Sequence, residues 1–238
     1  DKLKRMQEEP AQQRPTDLVE GDRATTIITK AWITFSNISI DDADICSGDC
    51  YGSANALSNR SVAWMLNLKH KPVSERVKAA AIFDDDESGN NARSALGKEI
   101  ERMKLSSLGL KRIKLPKPER LISLIKDGFI LDADLEALYS DELWDKADEM
   151  GWLEDIEHFS SRLTKARLDQ HLKGGPNPFE TLGAEDSKRV KKRFNDKGKS
   201  AAVKHIQELD SAKARSVLKH FEPIIRDLEK HLFPNLNE

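Results

Sequence analysis

The chain has 238 residues, 38% hydrophobic and 34% charged, with a net charge of −2 at pH 7. Against averages of roughly 45–50% apolar and about 25% charged, this is a highly charged, helix-rich globular protein, long enough for a core without disulfide staples. The charge balance excludes a molecule-wide field for nucleic acid, and no run reaches the roughly 20 apolar residues of a membrane span, so a cytoplasmic protein without a membrane partner is expected.

Residues 1–15 are polar and read as a linker or a trimmed start, so a longer protein is expected around this piece. Thr16-Asp17-Leu18-Val19 is a short apolar push that stops at Glu20-Gly21, and Arg23 to Trp32 carries Ile27, Ile28, Ala31 and Trp32 at helical spacing. Strand, tight turn and helix follow from that order. Ile33 to Ile40 is β-branched and alternating, which predicts a second strand, and Asp41 to Tyr51 reads as an acidic loop. That loop holds both cysteines, Cys46 and Cys50, a poor zinc site without a second pair of Cys or His nearby. Ala54 to Leu68 has a helical stripe in Leu57, Val62, Met65 and Leu66. Val77 to Phe83 is a nearly continuous apolar run ending at Asp84-Asp85-Asp86, the pattern of a buried parallel strand that delivers acids at its C-terminal edge. A helix over Ser88–Lys104 and a short strand over Arg112–Leu115 complete the series. Residues 16–117 are therefore expected to form an α/β core, an open parallel sheet flanked by helices. Residues 118–238 are expected to be a mostly helical region, broken at Gly174-Gly175-Pro176-Asn177-Pro178.

Two acidic clusters stand at the ends of two predicted strands: Glu20-Gly21 and Asp84-x-Asp86-x-x-Gly89. Parallel strands share one C-terminal edge, so Glu20, Asp84 and Asp86 are expected to converge there. Carboxylates brought together repel unless a cation sits between them, and an all-oxygen set suits Mg²⁺ or Mn²⁺. Gly21 would let the chain turn sharply after the acid, and Gly89 would let a helix start pack close. The plain alternatives are a solvated helix start for Asp84 to Glu87 and a turn cap for Glu20. Lys188, Arg189, Lys191, Lys192 and Arg193, continued by Lys197, form a dense basic run suited to phosphates, although such runs are usually solvated faces. Gly198-Lys199-Ser200 fails as a phosphate-binding loop, because Arg193 stands where the first glycine is required.

Leu18-Val19-Glu20-Gly21, followed some sixty residues later by Ile82-Phe83-Asp84-Asp85-Asp86-Glu87-Ser88-Gly89, resembles the Toprim signature. Later segments are similar to those of one Toprim branch, the overcoming-lysogenization-defect (OLD) nucleases. Ile156-Glu157-His158-Phe159 resembles a downstream motif whose Glu joins the metal site, and Lys197-Gly198-Lys199 a late segment whose lysine assists catalysis. The resemblance implies a Toprim-like Rossmannoid sheet and an Mg²⁺- or Mn²⁺-dependent endonuclease with one or two ions. Glu20, Asp84, Asp86 and Lys199 would be its catalytic residues, and Glu157 a further metal ligand. DNA is the implied partner, with RNA left open, together with an ATPase domain upstream or in a partner chain, a homo-oligomer, and a place in phage defence or DNA processing. One departure is Ala24, where these nucleases usually carry a second acid one turn after the first; it puts the two-metal mechanism in doubt. A nucleic-acid-binding or assembly module with a degraded Toprim site is therefore a second reading. A haloacid-dehalogenase-type phosphatase is a third, weakened by Ser88 where Thr or Val is usual and by the lack of an evident later strand with an acidic pair.

Overall fold

Thr16–Val19 (β1) is buried at all four positions, as a strand covered on both faces must be. It lies inside a parallel sheet with Asp44–Ser47 (β2), Ala79–Phe83 (β3) and Leu110–Lys114 (β4), in the order β2-β1-β3-β4. The computed structural model describes residues 14–47 and 53–236. Two units make up the chain: residues 1–115 together with 221–238, and residues 116–220.

The first unit is α/β, a four-strand parallel sheet flanked by helices. Leu18, Ala79, Ala81 and Phe83 alternate along β1 and β3 onto one face, as the two-residue period of a strand requires. There they pack on Leu57, Trp64, Met65 and Leu68 of Ala54–Lys69 (α2) and on Ala92 and Leu96 of Glu87–Arg102 (α3). Alanine at three successive places in β3 lets both neighbouring layers approach closely. Asp22–Phe35 (α1) packs against Glu222–Leu232, the last helix of the unit, which also packs against β3. Glu229 of that last helix accepts hydrogen bonds from the Ser36 hydroxyl and the Asn37 N–H, each at 2.7 Å. The His231 Nε2 lies 2.8 Å from the Ala79 carbonyl and 3.0 Å from that of Gly109, so this nitrogen carries the proton and donates to both.

Two expectations are corrected here. The strand predicted over Ile33–Ile40 is absent, because α1 runs on to Phe35 and the second strand is Asp44–Ser47, inside the predicted loop. Trp32 and Phe35 extend the buried stripe of Ile27, Ile28 and Ala31, and the Trp32 indole donates to the Ile38 carbonyl at 2.9 Å, closing the helix end. Helical burial outweighs local β propensity. The C-terminal region is also not a single helical block, since its last helix belongs to the sheet unit.

The second unit is built from Glu119–Lys126 (α4), Asp141–Glu149 (α5), Lys165–Leu172 (α6), Ala184–Lys191 (α7), Asp196–Glu208 (α8) and Ser211–Val217 (α9). It is not all-helical: Leu153–Asp155 (β5) and Lys192–Phe194 (β6) pair antiparallel. The later strand with an acidic pair, Glu154 and Asp155, thus exists, but in a separate two-strand ribbon and not in the parallel sheet. Phe194 anchors the ribbon, its ring edge-on to Trp144 at 5.0 Å and to Tyr139 at 5.8 Å between centroids. Among the described residues no helix is long and apolar enough to cross a membrane.

Candidate functional site

β1 and β3 are neighbours in register, Leu18 beside Ala81, so the residues following each strand emerge side by side. Glu20 follows β1 and Asp84 follows β3. The Glu20 carboxylate accepts a hydrogen bond from the Asp84 backbone N–H, which ties the two strand ends together. Its Oε1 is buried and has no hydrogen-bond partner among the described residues. Burial, reinforced by the negative charge of Asp86, pushes the Glu20 carboxyl up from its ordinary range, and the bond from Asp84 offsets this only in part.

Asp86 is the N-cap of α3, and its Oδ1 accepts from the Gly89 N–H at 2.6 Å. Gly89 is required by close approach: a Cβ there would stand 2.2 Å from the Asp84 carbonyl oxygen. Gly21 is different. Its φ of −163° is extended backbone that any residue adopts, so the sharp turn read from this glycine is not what the structure uses it for. The middle acid, Asp85, faces inward, with its Oδ1 accepting from the Asn90 amide at 2.9 Å and its Oδ2 3.1 Å from the Lys114 Nζ.

Asp22 does not replace the acid missing at Ala24. Its Oδ1 accepts from the Ser47 hydroxyl at 2.7 Å, at the end of β2, whereas Glu20 turns to the β3 side. Arg60 donates to the Ser47 carbonyl and fixes the same strand end. Ala24 itself is buried.

Among the described residues, no three His, Cys, Asp or Glu groups stand together closely enough to enclose an ion. The edge offers carboxylate oxygens, the donor type that a hard cation takes. One buried Glu20 oxygen lacks a donor, and Asp86 adds a like negative charge beside Glu20. Glu20, Asp84 and Asp86 are the residues that could hold it.

The remaining predicted residues belong to the second unit. Glu157 is exposed in the turn after β5. Lys199 lies in the first turn of α8 with its Nζ 3.4 Å from the Glu136 carboxylate. Glu136 is buried, and its carboxyl is pushed up to about 7 by burial and by Asp134, with Lys199 pulling the other way. Gly198 again reflects close approach, since a Cβ would lie 2.0 Å from the Trp152 carbonyl oxygen.

The basic run is not one solvated patch. Lys188 pairs with Asp145, Arg189 with Asp141 at 3.1 Å and Lys192 with Asp148 at 2.6 Å. Those three acids recur along one face of α5 and zip to the run. Arg193 pairs with Glu154 at 2.7 Å, and Lys191 stands over the Phe159 ring at 5.7 Å. Arg189 is buried, donates to the Ala137 and Tyr139 carbonyls and stacks over Trp144 at 4.3 Å, which removes it from any nucleic-acid surface. Arg193 and Lys197 are the members of the run left exposed.

Glu136, Asp85 and Lys114 were not singled out from the sequence. Only the Asp141, Asp145, Asp148 spacing, opposite in charge to the basic run, carried a legible warning. The chain matches no protein-family model, no curated protein and no solved structure with which it was compared.

Proposed function

We propose that this chain is a divalent-metal-dependent nuclease whose metal is held by Glu20, Asp84 and Asp86, of the Toprim type and nearest in kind to the OLD nucleases. The observation that carries this reading is the Glu20 carboxylate, docked on the Asp84 N–H with a buried orphan oxygen and a like charge at Asp86. A protein leaves like charges together at a strand edge at a cost, and a cation is the simplest group that offsets it. Mg²⁺ or Mn²⁺ bound there would supply a hydroxide nucleophile and stabilise charge on a phosphodiester. The chain's own part is orientation. The Asp84 N–H directs Glu20, and the Gly89 N–H fixes Asp86 at the start of α3. DNA is the proposed substrate, in a defence or DNA-processing setting. Glu157 and Lys199 carry no step in this reading.

The test is cleavage of supercoiled plasmid with Mg²⁺, Mn²⁺ or EDTA, comparing the chain with Asp84→Ala. Nicking that needs metal and is lost in the variant supports the proposal. Equal nicking by both sinks it. Ala24 and the commitment of Asp86 to a helix cap favour a second reading, a nucleic-acid-binding module without chemistry, which predicts DNA binding with no cleavage in any metal.

A further inference from the structure

We propose that Arg93 and Arg112 form a phosphate-binding track beside the acidic edge, along which the backbone of duplex DNA lies. The inference rests on the nuclease reading of that edge. Such a substrate brings one negative charge per nucleotide and needs cations near the metal to offset it. The basic run of the second unit supplies few, since Lys188, Arg189, Lys192 and Arg193 are paired with acids. Arg93 and Arg112 both belong to the sheet unit, and neither meets a carboxylate among the described residues.

Arg112 lies on β4 beside Ala81 of β3, three residues before Asp84. At about 3.3 Å per residue this is about 10 Å from the acids, roughly three nucleotides along one DNA strand. Leu110, two residues earlier, packs in the core beneath α2 and α3, so Arg112 shares that face of the sheet. Its Nη1 donates to the Arg93 carbonyl at 3.2 Å, and its guanidinium lies in the notch at Gly97, where a Cβ would stand 1.9 Å from Nη1. One bond leaves most of the five donors of this exposed side chain to solvent. Arg93 sits on the same stripe of α3, since Gly89, Arg93 and Gly97 are four residues apart. One end of that stripe approaches the Asp84 carbonyl and the other approaches Arg112, which sets Arg93 between the acidic edge and Arg112. The Arg93 Nε is buried with no hydrogen-bond partner, and Glu99 of the same helix is taken by Arg102 at 2.8 Å. Two guanidiniums without an acid, beside a proposed metal site, suit an anion that spans both, and their planar forks match phosphate oxygens.

The experiment is binding of a short fluorescein-labelled DNA duplex to the whole chain, followed by anisotropy in EDTA across a salt series. Arg93→Gln and Arg112→Gln should each weaken binding several-fold and lower the slope of log affinity against log salt by about one. The double variant should lower it by about two. An unchanged slope in both variants overturns the inference, and a lowered melting temperature without it assigns Arg112 to holding β4 on α3 alone. A slope that falls in Lys197→Gln and in neither arginine variant overturns it as well. If Arg112→Gln does not fold, Arg93→Gln decides, and Arg112→Lys, which keeps the charge, should keep the slope. DNA bound with the arginine-dependent slope but not cut in Mg²⁺ or Mn²⁺ sinks the nuclease reading and keeps the track. Binding and metal-dependent cleavage undiminished in both variants keep the nuclease reading and sink the track. An unaltered chain that binds no duplex also sinks the track.

Discussion

Two acidic clusters, the edge of the parallel sheet and the face of α5, meet their charges differently. At the edge of the sheet, Glu20 and Asp86 bring like charges together, and burial with the charge of Asp86 displaces the Glu20 carboxyl upward. In the second unit, Asp141, Asp145 and Asp148 each meet a base. Charge that meets an opposite charge on a neighbouring element helps to hold the fold. Charge left like beside like is what the proposed metal site would use. The comparison separates residues that a sequence presents identically, as runs of acids or bases.

The strongest way to break the comparison is at the sheet edge. Asp84→Ala should remove metal-dependent cleavage by on the order of 10²–10³-fold, the several kcal/mol that a bound metal supplies to a transition state. Its melting temperature should change little, which circular dichroism on the same sample would show.

On the other side, Arg189→Met should act on folding alone. Breaking the pair with Asp141, the two carbonyl bonds and the stacking on Trp144 should destabilise the second unit by about 3 kcal/mol. Urea unfolding measures this, and a loss under about 1 kcal/mol would mean that the zipper is surface decoration.

Asp17 sharpens the contrast, because it is a buried acid that serves neither purpose. Both of its oxygens lack partners among the described residues, and complete burial holds its carboxyl well above the ordinary range. Folded protein thus keeps a proton that the unfolded chain releases. Stability from this group is full below the unfolded value and is lost as pH rises toward the folded one, at no more than about 1.4 kcal/mol per pH unit. Asp17→Asn should remove that slope and raise stability at alkaline pH, as urea midpoints at pH 5 and pH 9 would reveal.

The smallest effect is expected at Glu136. Its carboxyl moves from 4.5 to about 7, so the same sign applies, with stability falling between those values and level above them. Glu136→Gln should flatten the melting temperature across that interval by a degree or a few. A slope that persists would assign it to other groups.

Much of the sheet was legible along the chain, for a physical reason. A strand buried on both faces tends to be apolar throughout, so Ala79–Phe83 declares itself, while Thr16–Val19, which carries Asp17, is marked chiefly by the acid and glycine that follow it. Asp44–Ser47 was not legible, because an edge strand with four half-buried residues has no such pattern. The last helix was not legible as part of the sheet unit either, since amphipathicity says that a helix has an apolar face but not what covers it.

Composition, strand pattern and the order of Glu20, Asp84 and Asp86 are properties of the chain alone, because local hydrophobic periodicity and parallel topology together bring those strand ends to one edge. Tertiary structure alone decided which charges are spent. The pairing of Lys114 with Asp85, of Lys199 with Glu136 and of Arg189 with Asp141 spans separations that no local pattern encodes. Burial then sets the cost of leaving any one of them alone.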